Sequence, residues 1–222
     1  MAKRRKVSNL LALALLSMLA QQPMYPYEMA QTLRARGKDR SIKINWGSLY
    51  TVVQNLEKNG FIETVSTERE GRQPERTTYR ITEAGKEELG DWLRELIGIP
   101  EWTPTPFEAA LSEAAIMGPD ELMSLLAQRL TTLESDNEAS RAELEQIARR
   151  LPRLLLIEAE YKLALRLAEA TWVRELLGEI ADGVIGDLEA WRHMHKTGEI
   201  PPDLIELDEQ AKRGWPEPVE EQ

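Results

Sequence analysis

Apolar residues surround Val7 to Leu19 on nearly every side, so this stretch reads as a helix buried within a small domain or a dimer. Pro26 occupies the favoured first-turn position of a second helix, with Tyr27, Ala30 and Leu33 on one face and Gly37 stopping it. In a third helix, Trp46 to Lys58, Leu49, Val52, Val53 and Leu56 recur at spacings of three and four and predict one core-facing side. Asn45 is placed to cap its start, and Asn59-Gly60 to end it. Phe61 to Thr67 and Thr77 to Ile81, rich in aromatic and β-branched residues, then read as two strands joined by the polar EREGRQPER. Thr82 with Ala84-Gly85 opens a fourth helix that runs to about Ile97.

The pattern changes at IPEWTPTP, Ile99 to Pro106, a proline-punctuated joint whose Thr105 forms a capping box with Glu108. After Gly118-Pro119 two long helices are expected, Asp120 to about Arg150 and Arg153 to about Lys196, with Pro152 between them. Along the second, Leu154, Ile157, Tyr161, Leu165, Ala168, Trp172, Leu176 and Ile180 form a stripe that wants a helical partner. That partner is the other long helix, a second copy of the chain, or both. From Gly198 onward periodicity is lost, and a mobile tail is expected. The expected divisions are therefore 1–98, the joint 99–106, a helical domain 107–197, and an acidic tail 198–222.

Three helices, a two-stranded hairpin and a further helix follow the order of a winged helix-turn-helix. At about 100° per residue, the inner face of the third helix leaves Gly47, Ser48, Thr51, Gln54 and Lys58 on the outer one, with Tyr50 and Asn55 at its flanks. That outer face is nearly free of acids, and its hydroxyls and amides suit base edges and phosphates; it is equally what a merely solvated face would carry. The hairpin tips the balance, because Arg69, Arg72 and Arg76 cluster there with Arg80 following, and guanidinium forks bind phosphate. Glu68, Glu70 and Glu75 dilute the cluster, while Lys38, Arg40, Lys43 and the segment Lys3 to Lys6 add positive charge nearby in sequence.

Charge sharpens this reading. The chain carries −10 overall, yet residues 1–80 hold 14 basic against 7 acidic residues, a balance of +7, and the remainder stands at −17. A basic front on an acidic chain suggests a local polyanion-binding surface. There is no cysteine, which removes disulfides, thiolate metal sites and thiol nucleophiles and suits a cytoplasmic protein. His193 and His195 lie two apart and point about 200° from each other on a helix, so they do not share a metal; Glu189 and His193 share a face as a surface pair. No glycine-rich phosphate loop or catalytic constellation is present, and neither enzyme activity nor a cofactor or metal is expected. The first twenty residues have a basic start and an apolar run like a leader peptide, but Ser17 and Met18 interrupt the run and Met18 is too large for the cleavage pattern. No later run approaches a membrane span of roughly 20 residues.

Residues 7 to 95 resemble the PadR family of winged-helix transcriptional regulators. The resemblance rests on Pro23, Met24, Tyr27 and Glu28 in PMYPYEM, on Gly47, Leu49, Tyr50, Leu56 and Gly60 in WGSLYTVVQNLEKNGFI, on Gly71 and Arg72, and on Tyr79 to Gly85 in YRITEAG. Pro26 replaces the family's usual glycine, and Trp46 a common proline. The resemblance implies a mainly α fold with a small two-stranded β-wing and a C-terminal helical dimerisation domain. It also implies homodimers on palindromic double-stranded DNA, usually as repressors, with Tyr50 on the recognition helix and Arg72 and Arg76 on the wing. The expected DNA-binding set is Lys43, Asn45, Gly47, Ser48, Tyr50, Thr51, Gln54, Asn55, Lys58, Arg72 and Arg76. Trp92, Trp102, Phe107, Tyr161 and Trp172 are either core aromatics or the lining of a pocket for a small planar effector of the kind some family members answer to. The rival reading is a winged helix used for protein–protein contact, its basic face incidental.

Overall fold

The computed structural model describes residues 5–38, 46–68, 76–101, 103–186, 188–200 and 202–214. It divides into two compact units, Met1–Thr103 and Pro104–Gln222.

In the first unit α1 (Leu10–Leu19) is the centre of the core, with Leu11, Ala12, Leu15, Leu16, Met18 and Leu19 all buried. It starts three residues later than its apolar pattern suggests, because the Asn9 side chain accepts the Leu11 N–H at 2.8 Å and caps the helix there. Helix α2 (Pro26–Ala35) buries Met29 and Leu33, while Tyr27, grouped by sequence on one face with Ala30 and Leu33, is exposed. Gly37, at φ 62°, follows its end. A single 3-10 turn, Trp46–Ser48, precedes α3 (Leu49–Lys58), so the third helix is shorter than its sequence suggests. Leu49, Val52, Val53 and Leu56 are buried as the periodicity requires. Gly60, at φ 74°, turns the chain out of α3: its N–H reaches Glu57 O at 2.8 Å and the Phe61 N–H reaches Leu56 O at 3.0 Å.

Strands β1 (Ile62–Glu68) and β2 (Arg76–Ile81) pair antiparallel from Ile62 opposite Ile81 to Glu68 opposite Arg76. The register slips between Thr64 and Ser66, leaving Val65 as an exposed bulge. Met24 adds a bridge on the far edge of β2, exchanging both backbone hydrogen bonds with Tyr79 at 3.0 Å. Helix α4 (Glu83–Gly98) is capped by Thr82, whose hydroxyl accepts the Gly85 N–H at 3.0 Å and donates to Gly60 O at 2.7 Å. The start of α4 is thus tied to the end of α3.

In the second unit α5 (Pro106–Ser112) opens with the expected capping box between Thr105 and Glu108. Helices α6 (Pro119–Ala148) and α7 (Ile157–Ala181) pack along each other around Leu122, Leu126, Val173 and Ile180. The face of α7 that does this is not the one the sequence stripe indicates. Leu156 just before α7, then Leu163, Ala170, Val173 and Ile180, are buried, whereas Leu154, Ile157, Tyr161, Leu165 and Trp172 are exposed. At about 100° per residue the two sets lie on opposite sides, so the stripe merges the end of one face with the whole of another.

The long helix expected to run to Lys196 is interrupted. Gly183 and Gly186 adopt φ 71° and 153°, values that L side chains rarely take, and α8 (Leu188–Thr197) starts afresh. It is held to the corner before α6 by the Trp191 indole N–H on Met117 O at 2.9 Å and by the Arg192 fork on Asp120 at 2.6 and 3.1 Å. Residues expected to lack structure form α9 (Pro202–Arg213), with proline in the first turn, Lys212 and Arg213 in the last, and Gly214 at φ 88° beyond it.

Candidate nucleic-acid interface

The exposed side of α3 is built by subtraction. Four apolar side chains pin the helix to α1 and its neighbours, and what remains faces outward: Gly47, Thr51, Gln54, Asn55 and Lys58 exposed, Ser48 half-buried, Tyr50 61% exposed. Tyr50 belongs to this outer surface and not to the core. The one acid on α3, Glu57, sits at its far end and accepts the Thr64 hydroxyl at 2.8 Å, which joins helix to wing. Burial, with Glu57's charge adding to it, pushes the Tyr79 phenol above its ordinary range, so that side chain stays neutral at the wing base. An α-helix with its side chains is about 10–12 Å across, which matches a major groove about 12 Å wide.

Among the wing arginines the structure separates two roles. Arg80 is tied to Glu63 across the ladder at 2.7 Å, which removes it from the cluster the sequence suggests. Arg76, at the first position of β2, is exposed and lies over the Tyr25 ring, its guanidinium carbon 5.5 Å from the centroid. Lys43, Asn45 and Arg72, and with them Arg40, Arg69, Lys3 and Arg4, lie outside the described residues.

Arg5 is a correction to the basic segment. It points inward, bonded to Glu88 at 2.6 Å and also to Glu95, and its guanidinium stands over the Trp92 ring at 5.4 Å. Burial works against its charge, but the two carboxylates outweigh it and hold the group above its ordinary value. Arg5 is a buried strut between the chain start and α4, not a phosphate contact.

The expected aromatics are divided between the two units. Trp92 is 4% exposed and belongs to the core of the first unit. Phe107 and Trp172 meet edge to face in the second, with centroids 6.2 Å apart and planes at 81°. Arg129 covers Phe107 at 3.6 Å and is held by Glu169. Tyr161 is exposed elsewhere on α7, and Trp102 lies outside the described residues.

Tyr25 and Met24 contact the wing, which the sequence does not announce. Both stand in the quoted PMYPYEM, but their partners, Arg76 and Tyr79, are more than fifty residues away, and no local pattern announces such a contact. Among the described residues no group of histidines and acids is placed to hold a metal, and no helix is long and apolar enough to cross a membrane.

Residues 15–91 match the model of the transcriptional regulator PadR-like family, a family of regulators and not of enzymes. No curated protein matches the chain. Among solved structures, Bacillus subtilis PadR in complex with operator DNA is 20% identical, with 78% of this chain and 99% of that one covered at a TM-score of 0.63. The same protein in complex with p-coumaric acid is 18% identical, with 78% and 99% covered at 0.65. A PadR-like regulator from Bacillus cereus is 15% identical, with 78% and 98% covered at 0.53. At these identities the likeness is one of fold.

Proposed function

We propose that this chain, whose residues 15–91 carry the PadR-like winged helix, is a sequence-specific DNA-binding transcriptional regulator that acts as a homodimer. The observation that carries the reading is the outward side of α3: polar, almost free of acids, and flanked by the wing. In this reading α3 enters the major groove. Gly47, Ser48, Tyr50, Thr51, Gln54, Asn55 and Lys58 face bases and phosphates there, with Lys43 and Asn45 leading in, and Arg72 and Arg76 grip the backbone from the wing. Two copies would read half-sites of a palindrome about 34 Å apart, and repression follows where such a site overlaps a promoter.

Gel shifts on DNA upstream of its own gene test this. Selective binding that weakens steeply with salt is the expected result, and absence of binding at low salt would leave the protein-contact reading in its place. Gln54→Ala should change which half-site is selected from a random pool by roughly 1–3 kcal/mol at one position. An unchanged selection removes Gln54 from base readout.

The dimer reading is supported by the second face of α7, where Ile157, Tyr161, Leu165 and Trp172 stand exposed in a continuous row. Such rows on soluble proteins mark interaction surfaces.

Effector control is the finer part of the proposal. The Phe107–Trp172 edge contact, with Arg129 laid on Phe107, joins aromatic faces to a cation and suits a planar aromatic acid of the type bound by Bacillus subtilis PadR. Titration with p-coumaric acid should quench tryptophan emission in the wild type and not in Trp172→Phe, and should release DNA. Equal quenching in both places the site elsewhere.

A further inference from the structure

The apolar seam between α6 and α7 repeats at every turn. Leu122, Leu126 and Leu130 stand four apart on one helix, and on the other so do Val173 with Leu177 and Leu176 with Ile180. Such a seam holds two helices together, yet it meets itself again when one slides by a turn, about 5.4 Å. It also occupies only part of the hairpin. Beyond Leu126, the one buried residue of α6 is Asn137, 4% exposed.

Asn137 faces Arg166 of α7. Its amide donates to the Arg166 carbonyl oxygen at 3.2 Å, and the Arg166 guanidinium donates through Nη2 to the hydroxyl of Ser140, about one turn further along α6, at 2.6 Å. The match is incomplete: among the described residues, Asn137 Oδ1 and Arg166 Nε are buried without a hydrogen-bond partner. Polar atoms buried unpaired cost stability, so the contact is a poor source of strength. It is a better source of position. The residues one turn to either side of Arg166 are Lys162 and Ala170, and neither carries a guanidinium to reach Ser140. A hairpin slid by a turn would set Asn137 and Ser140 against them and leave more polar atoms unpaired. The ion pairs Arg129–Glu169 and Glu134–Arg174 also cross between the helices, but their side chains are partly open to solvent, and such pairs fix geometry weakly.

We propose that the contact of Asn137 and Ser140 with Arg166 is the register selector of the α6–α7 hairpin: it sacrifices stability and admits one alignment of two helices whose apolar seam allows several. Asn137 and Arg166 are positioning residues that act on helix alignment. The assignment concerns the folded chain alone and stands apart from the DNA-binding reading.

The chain has no cysteine, so two can be introduced and spin-labelled without background. Gln128→Cys and Ala159→Cys place labels at exposed sites near the starts of α6 and α7, toward opposite ends of the hairpin, and a one-turn slip changes their separation by about 5 Å. Electron–electron dipolar spectroscopy, with the labelled chain diluted in unlabelled protein so that only pairs within one chain are read, should give a single narrow distance when no other residue is changed. Adding Asn137→Leu with Arg166→Met should keep or raise the melting temperature and bring in a second distance about 5 Å from the first. Asn137→Ala with Arg166→Ala, which adds no bulk, should show the same two distances even where it melts lower.

One unchanged narrow distance in both double variants would overturn the proposal, because packing alone would then set the register. A leucine–methionine variant that melts well below the wild type with its distance unchanged would also overturn it, by making the contact an ordinary source of stability. Two distances already present before either change would show that the contact selects nothing.

Discussion

Glutamate at both Tyr161 and Leu165 is expected to leave the helices intact, convert the protein to monomers, and weaken operator binding by about 10²- to 10⁴-fold, the usual worth of linking two modules. The two side chains are 67% and 53% exposed on the side of α7 opposite the one packed on α6, so charging them disturbs no intrachain packing. Glutamate is also a good helix former. Sedimentation and circular dichroism read the outcome. A double variant that sediments as the wild-type dimer would take this row out of the interface.

Gly85→Ala is expected to cost the first unit at least about 3 kcal/mol, the upper end for a methyl forced into a packed site. A Cβ built at Gly85 would stand 2.0 Å from the Phe61 carbonyl oxygen and 2.8 Å from Ile81 Cγ1. The carbonyl is backbone at the junction of α3 and β1, so it does not swing aside as a side chain would. For a unit of this size the shift in melting temperature would be roughly 12–24 °C. Near-wild-type melting would show that the start of α4 is free to slide, and with it the Thr82 cap that ties α4 to Gly60.

Set beside these geometries, the sequence is legible where a physical rule is local. Burial of Leu49, Val52, Val53 and Leu56 follows from helical period, and the Thr105–Glu108 box from its spacing. Gly85 is visible as part of TEAG, but its necessity is not, because the oxygen it makes room for belongs to Phe61, twenty-four residues earlier. The α7 stripe misleads for a related reason. A helix apolar on two sides gives one run of threes and fours, and only the packed partner shows that Leu163, Ala170 and Val173 turn inward while Tyr161 and Leu165 turn out. Arg5 and Arg80 count as positive charge in any sequence tally, yet each is taken up by carboxylates that folding brings to it. The α7–α8 break was written in GVIG, whose glycines adopt positive φ, and was hidden by the apolar residues between them.

The division of labour on α3 bears on how such a protein changes over generations. Thr51, Gln54 and Lys58 are exposed, while the four side chains that anchor the helix are different residues on its other side. If the outer face of α3 reads DNA as proposed, duplicated genes can diverge in the DNA they answer to by drift at a few codons, each intermediate still folding. A library randomised at those three positions would show this as a population of near-uniform melting temperature and widely scattered target preference.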